Sequence, residues 1–369
     1  MIAGTRPEII KLAPLYHALQ AVEMSPLWLD TGQHAHRITQ PLYQFFQIAN
    51  IRYLPQQRRS VSLGEINAGI ALELARVLET EKPQVVVVQG DTVTALQGAL
   101  NAFLLKIPIA HVEAGLRTGN FGEPFPEEMN RTLIARLANW NFAPTPEALD
   151  ALVHECVPGK CFMTGNTVVD AAYLGLARLS EEPESTSRKM LLITAHRREN
   201  WGEGIRGIAQ AVRQLLEERA DIEVCWILHP NPAISDTVRE VFQNLEKPEP
   251  GVENDRATFL PPQNYPDMLR LLKKSWVLLT DSGGLQEEAT VVGKPVLITR
   301  DVTERPEILA CGMGILVGTR PEVIQAKIHE LLRHPQLHRQ MCQTKFAHPF
   351  GDGRAAERIA QQIAADVYQ

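Results

Sequence analysis

Leu191-Leu192-Ile193-Thr194-Ala195-His196-Arg197-Arg198-Glu199-Asn200 joins an apolar run directly to a polar cluster. The apolar part reads as a parallel strand buried on both faces. In open α/β sheets ligands bind outside the carboxyl ends of the strands, where His196 and the two arginines fall. His196 brings a proton donor or acceptor, and the arginines bring charge suited to phosphate. One such exit is as readily a solvated loop as a site. The layout recurs, however, at Gln89-Gly90-Asp91-Thr92, His111-Val112-Glu113 and Thr280-Asp281-Ser282-Gly283-Gly284. Four polar strand exits in one chain favour a site.

Working outward, strands and helices alternate. Val85–Val88 and Ile107–Val112 read as strands, separated by an Ala/Leu-rich helix over 92–105. A helix over 127–138 follows a Pro-rich turn, and strands at 140–143 and 161–163 close the first half. A second series has strands at 190–195, 222–228, 257–260, 276–280 and 295–299, with helices at 204–217, 265–273 and 284–292. Such alternation predicts parallel sheets with helices on both faces. The expected fold is α/β, with two doubly wound Rossmann-like domains facing a central cleft suited to a nucleotide-linked substrate. The seam falls near Gly165-Asn166-Thr167, giving domains at 1–166 and 167–353, with 181–188 as connector. A last helix within 354–369 follows a Gly-Asp-Gly turn and is expected to pack back on the first domain.

The composition agrees. A chain of 369 residues exceeds what one core usually covers. Its net charge of −6 argues against a general nucleic-acid surface, so an anionic ligand must meet a local basic cluster. No apolar run reaches the roughly 20 residues of a membrane span, and no secretory signal layout is present. The five cysteines (156, 161, 225, 311, 342) form no CxxC pair, which fits reduced thiols in a cytoplasmic protein.

Two phosphate-type turns and a set of carboxylates carry the chemistry. Gly4-Thr5-Arg6-Pro7-Glu8 opens a helix with proline in its first turn, so backbone N–H groups with Arg6 and Lys11 can hold phosphate. An ordinary capped strand-to-helix turn reads the same way. Asp281-Ser282-Gly283-Gly284 is a second phosphate-type turn, and Arg305 is a further phosphate partner or a surface residue before a Pro-started helix. Glu288 either accepts ribose hydroxyls or only offsets the helix dipole. Asp91, His111 and Glu113 are candidates for proton transfer, and strand alternation puts His111 and Glu113 on one face. A metal site on those three lacks a recognisable ligand pattern. Glu127 and Glu128 are more carboxylates at a helix start, where the bland reading is dipole compensation. Gly312-Met313-Gly314 with Gly318 mimics a dinucleotide fingerprint but precedes a strand, and Gly293-Lys294-Pro295 lacks the rest of a P-loop.

Together these segments resemble the non-hydrolysing bacterial UDP-N-acetylglucosamine 2-epimerases, which have the two-domain GT-B fold. The match runs through GTRPEIIK at 4–11, GDT at 90–92, HVEAGLRTG at 111–119 and PEEMNR at 126–131. It continues with TGNTVVDA at 164–171, HRREN at 196–200, TDSGGLQEEA at 280–289, GKPVL at 293–297 and TERPE at 303–307. The resemblance implies reversible C2 inversion of the sugar in UDP-N-acetylglucosamine through a 2-acetamidoglucal, with no metal or redox cofactor. Asp91, Glu113 and Glu127 are then the catalytic carboxylates, and His196 sits by the leaving phosphate. Arg6, Ser282, Gly283, Gly284 and Arg305 hold the diphosphate; Lys11 and Arg131 join the substrate-binding set. Glu288 meets the ribose and Gln263 the uracil. A homodimer and a role in polysaccharide precursor supply are also implied.

Two departures stand out. Family members carry a full strand before GTRPE, whereas only Met1-Ile2-Ala3 stands here, so added N-terminal residues are expected to stabilise the protein. Many members bind a second substrate molecule as activator through a Gln-His motif and an arginine. Gln33-His34 is present, but it continues Ala35-His36-Arg37, and the arginine is either Arg58 or Arg59. The rival readings are an epimerase of a modified UDP-sugar (a 2,3-diacetamido uronic acid type), a hydrolysing variant, and a non-catalytic UDP-sugar-binding protein.

Overall fold

The computed structural model describes residues 1–55, 62–180, 188–242, 256–303, 305–343 and 348–367. Arg58, Arg59, Glu304 and the connector at 181–187 lie outside them. The chain divides into two compact units, 1–175 with 350–369, and 176–349.

In the first unit the order is β1 (Ile2–Ala3), α1 (Arg6–Ala21), β2 (Trp28–Asp30), α2 (His36–Phe46), β3 (Ile51–Tyr53), α3 (Leu63–Glu81) and β4 (Val86–Gln89). There follow α4 (Val93–Leu104), β5 (Ile109–Val112), α5 (Glu127–Leu137), β6 (Trp140–Ala143), α6 (Pro146–His154), β7 (Lys160–Met163) and α7 (Thr167–Arg178). Two parallel ladders, β1-β2-β3 and β4-β5-β6-β7, meet where β1 runs beside β4. β1 is only two residues long, yet Ile2 and Ala3 are buried and register against Leu29 and Asp30. The stub therefore still forms the central strand. A cavity of about 370 Å³ opens beside Met1, lined among others by Leu27, Leu29 and Val85–Val87. The Met1 ammonium donates to the Leu27 carbonyl at 2.8 Å, and burial pushes it down to about 5.

The second unit runs β8 (Lys189–Thr194), α8 (Glu203–Glu218), β9 (Ile222–Ile227), α9 (Pro232–Phe242), β10 (Ala257–Leu260), α10 (Tyr265–Lys274) and β11 (Val277–Thr280). It ends with α11 (Gly283–Val292), β12 (Val296–Ile298), α12 (Pro306–Ala310), β13 (Gly314–Leu316), α13 (Pro321–Arg333) and α14 (Pro335–Met341). A final helix, α15 (Ala355–Val367), belongs to the first unit: it packs on α1, and Asp170 accepts from the Ala356 N–H at 2.8 Å. α8 shows why these helices form, since Ile205, Ile208, Ala209, Val212, Leu215 and Leu216 are buried at helical spacing on one face. They pack against Leu191, Ile193 and Trp226 of the sheet. Gly314 starts β13, so the glycines around it are no dinucleotide turn.

Topology selects the positions that matter. The second sheet is ordered β10-β9-β8-β11-β12-β13, all parallel, so the chain winds outward from β8 and then, from β11, outward the other way. The same reversal in the first unit falls at β1 and β4. Ligands of doubly wound sheets bind at such reversal points.

Candidate functional site

At the reversal in the first unit, two turns are joined by one side chain. Glu8 is fully buried; its Oε2 accepts from the N–H groups of Gly4 (2.9 Å) and Thr5 (2.8 Å) and from Thr5 Oγ1 (2.8 Å). Its Oε1 accepts from Thr92 Oγ1 at 2.6 Å, tying the turn after β1 to the turn after β4. Burial outweighs these donors and pushes the Glu8 carboxyl up to about 7.

Beside this staple stand the expected proton-transfer groups. Glu113 is buried, its carboxylate bonded by Lys11 Nζ and Gln89 Nε2. Its backbone is left-handed, with φ 62°, an uncommon conformation for a residue with a side chain. Strand alternation therefore ends at Val112, and that turn, with Lys11 and Gln89, fixes where Glu113 points. His111, by contrast, bonds the Gly90 carbonyl through Nε2 at 2.7 Å, and burial pushes its imidazole down to about 4. Its ring thus supports the Gly90–Asp91 turn and is not offered as a ligand. Among the described residues no group of three His, Cys, Asp or Glu side chains is placed to hold a metal.

Asp91 pairs with Arg131, and Asn130 Nδ2 donates to the Asp91 carbonyl at 2.8 Å. Burial raises the Asp91 carboxyl above its ordinary range; Arg131 opposes this and Glu113 adds to it. Glu127, the first residue of α5, makes none of these bonds. Its neighbour Glu128 is the tied carboxylate, accepting from the N–H groups of Thr118 and Gly119 at 3.0 Å each. Gln33 Oε1 accepts from Thr94 Oγ1 at 2.7 Å, and His34 Nδ1 accepts from the Arg6 N–H at 3.2 Å. Both of those side chains are built into the same pair of turns.

The reversal in the second unit has a parallel device. Asp281, after β11, is fully buried and gathers the segment after β8. It accepts from the N–H groups of His196 (2.9 Å) and Arg197 (2.9 Å), from Asn200 Nδ2 (3.0 Å), and faces His196 Nδ1 at 2.9 Å. Burial alone would raise this carboxyl, but the His196 ring and the backbone donors hold it below the ordinary range. The His196 side chain is 44% exposed, so its other ring nitrogen, Nε2, is the one open to a ligand. His229, after β9, stands close enough that His196 adds to the lowering that burial imposes on it.

Ser282 is the N-cap of α11 and its N–H donates to Thr280 Oγ1 at 3.0 Å; Gly283 and Gly284 are the first residues of the helix, whose N–H groups have no acceptor within the helix. Arg305 reaches this turn: its guanidinium is 4.0 Å from where a Cβ on Gly283 would lie. The buried Glu287 pairs with Arg305 and holds it there. Glu288 is buried in the same helix, and Gln263 stands just before α10, its Nε2 donating to the Pro261 carbonyl at 2.6 Å. Sequence reasoning missed Glu8, Gln89, Asn130, Asp281 as a support, His229 and Glu287. Of these, Glu8 had a legible signal, the Thr-x-x-Glu spacing at a helix start.

Comparison with known proteins now decides the family. The model of the UDP-N-acetylglucosamine 2-epimerase family matches residues 17–364. The chain belongs to the UDP-N-acetylglucosamine 2-epimerase family. It is 38% identical to the UDP-N-acetylglucosamine 2-epimerase of Yersinia pestis, covering 98% of this chain and 97% of that one. The crystal structure of UDP-GlcNAc 2-epimerase from Neisseria meningitidis bound to UDP-GlcNAc is 36% identical, with TM-score 0.86 over 98% of each chain. A putative UDP-N-acetylglucosamine 2-epimerase from Listeria monocytogenes gives TM-score 0.88 at 36% identity, covering 99% of this chain and 95% of that one. This family member thus has an α/β fold of the GT-B type. Among the described residues no helix is long and apolar enough to cross a membrane.

Proposed function

We propose that this chain inverts C2 of UDP-N-acetylglucosamine reversibly, giving UDP-N-acetylmannosamine. The observation that carries the reading is the carboxylate cluster at the exits of β4 and β5: Glu113 on Lys11 and Gln89, beside Asp91 on Arg131. A C2–H next to no carbonyl is a weak acid, so its removal needs a fixed base and a leaving group whose charge is stabilised. One carboxylate takes the C2 proton, the C2–H electrons form the C1=C2 bond of 2-acetamidoglucal, and the C1–O electrons leave with UDP. Re-addition of UDP and protonation from the opposite face give the epimer. That second face requires another acid; Asp91, whose carboxyl is raised, and Glu127 supply the candidates. Lys11 and Arg131 complete the substrate-binding set in the first unit, and Arg6 is its diphosphate ligand.

In the second unit the Ser282 hydroxyl and the N–H groups of Gly283 and Gly284, with Arg305, fit a diphosphate, His196 meets the departing phosphate, Glu288 takes the ribose and Gln263 the uracil. Gln33 and His34 keep the regulatory role that the resemblance implies, since both reach turns that carry Arg6 and Asp91. Proton NMR in deuterated water tests the whole reading. UDP-N-acetylmannosamine with deuterium at C2, and label returning into the starting sugar nucleotide, are expected. Free N-acetylmannosamine plus UDP would replace the reading with a hydrolase.

The same reading gives a cytoplasmic homodimer. Leu72 on α3, Phe103 and Leu104 on α4, and Met129 and Leu133 on α5 are exposed on three neighbouring helices, the kind of apolar surface a partner covers. Sedimentation should give twice the chain mass of 41.2 kDa. Replacing Phe103 and Leu104 by glutamate should give monomers, and a monomeric wild type would end the dimer reading.

A further inference from the structure

We infer that Asp281 is the positioning residue of His196: it fixes the imidazole with its proton on Nδ1 and Nε2 turned to the ligand. The inference rests on the role proposed above for His196. Four donors from one short segment converge on this single buried carboxylate: two backbone N–H groups, the Asn200 amide and the His196 ring. Backbone anchoring of His196 and Arg197 to Oδ2 of the carboxylate whose Oδ1 faces Nδ1 leaves the ring little freedom to rotate. Thr194 and Thr280, the last residues of β8 and β11, are in register and share a 2.6 Å hydroxyl–hydroxyl bond, so the two strand exits are locked side by side.

A carboxylate has only acceptors, so Nδ1 must carry a hydrogen to bond it. A neutral ring is then held as the Nδ1–H tautomer, with a lone pair on Nε2. A protonated ring meets the departing diphosphate through Nε2–H, with Asp281 as countercharge on the other side. Either way Asp281 touches no substrate atom and acts through the ring, as the buried aspartate of a Ser-His-Asp triad does. Because Asp281 is fully buried, water does not compete for the bond.

The test begins with the wild-type protein. Ring 15N chemical shifts at alkaline pH, with His196 assigned by its absence in His196→Gln, should show hydrogen on Nδ1 and none on Nε2. The opposite tautomer would overturn the inference without any variant. Asp281→Asn should then mix or reverse the tautomers and lower kcat on the order of 10²–10³-fold, with KM within a few-fold. An unchanged tautomer in a folded Asp281→Asn protein, or kcat within threefold of wild type, would also overturn it. His196→Gln separates the two ideas. Full activity in that variant sinks the catalytic reading of His196, whereas its inactivity beside an active Asp281→Asn sinks the positioning role alone.

Discussion

The two units solve the same topological problem with the same device and use it differently. In each, one buried carboxylate staples the two strand exits at the point where the winding reverses: Glu8 for β1 and β4, Asp281 for β8 and β11. Glu8 spends all its bonds on backbone and threonine hydroxyls, and burial pushes its carboxyl up to about 7. Asp281 has a histidine ring among its donors and is held below the ordinary range. One staple organises turns; the other also aims a titratable group. The surroundings differ in the same sense. Around Glu8 lie carboxylates already matched with cations, suited to moving protons under control. Around Asp281 lie open N–H groups and an arginine held by Glu287, suited to holding an anion.

The sharpest way to break this contrast is to remove one working group from each unit. Glu113→Gln keeps the shape but not the base, and should lower kcat about 10³-fold while UDP binds as before. Arg305→Ala should do the reverse in kind, weakening UDP by about 1.5–3 kcal/mol, roughly ten- to a hundredfold in Kd by calorimetry. If Glu113→Gln lost UDP affinity and Arg305→Ala did not, the division of labour would be wrong. A next, smaller effect concerns packing of the turns. A Cβ on Gly4 would sit 2.0 Å from Thr31 Oγ1 and 2.6 Å from Thr94 Oγ1, two buried hydroxyls that bond each other at 2.7 Å. Gly4→Ala should therefore cost about 1–3 kcal/mol in urea unfolding, read as a lower midpoint at constant slope.

How much of this was legible beforehand depends on the range of each interaction. The alternation, the strands flanking each polar exit and the turn glycines follow from local pattern, and β8, β11 and α11 stand within a residue or two of where the pattern puts them. β2 and β3, three residues each, are too short to display a period. Lys11 reads locally as charge for phosphate, but its partner Glu113 lies 102 residues away, a pairing no local spacing reveals. Asp281 was visible as a polar exit and invisible as a support, because its donors lie over 80 residues away and half of them are backbone. Glu113 escaped the alternation argument through one left-handed residue.

His111 sharpens the comparison through pH. In the folded chain its imidazole is pushed down to about 4, against an ordinary value of 6.5, so the unfolded chain takes up a proton first as pH falls. Stability from this group is whole above 6.5 and is lost as pH drops toward 4. His111→Gln should flatten that part of the stability profile while leaving the profile above neutrality unchanged. An identical slope in the variant would mean that the acid sensitivity arises elsewhere.

The smallest effect is the most discriminating between the two turns. Gly284 occupies in the second unit the role that Gly4 has in the first, a glycine beside a helix start at the reversal point, yet a Cβ there would meet nothing within 4 Å. Gly284→Ala should therefore change unfolding free energy by less than about 0.5 kcal/mol. If the glycine is there so that a diphosphate can approach the backbone, the methyl group will intrude on the ligand instead, and UDP affinity should fall severalfold in a protein that melts normally. Loss of stability without loss of affinity would place the need for glycine in the fold, and the turn would cease to be evidence for a phosphate.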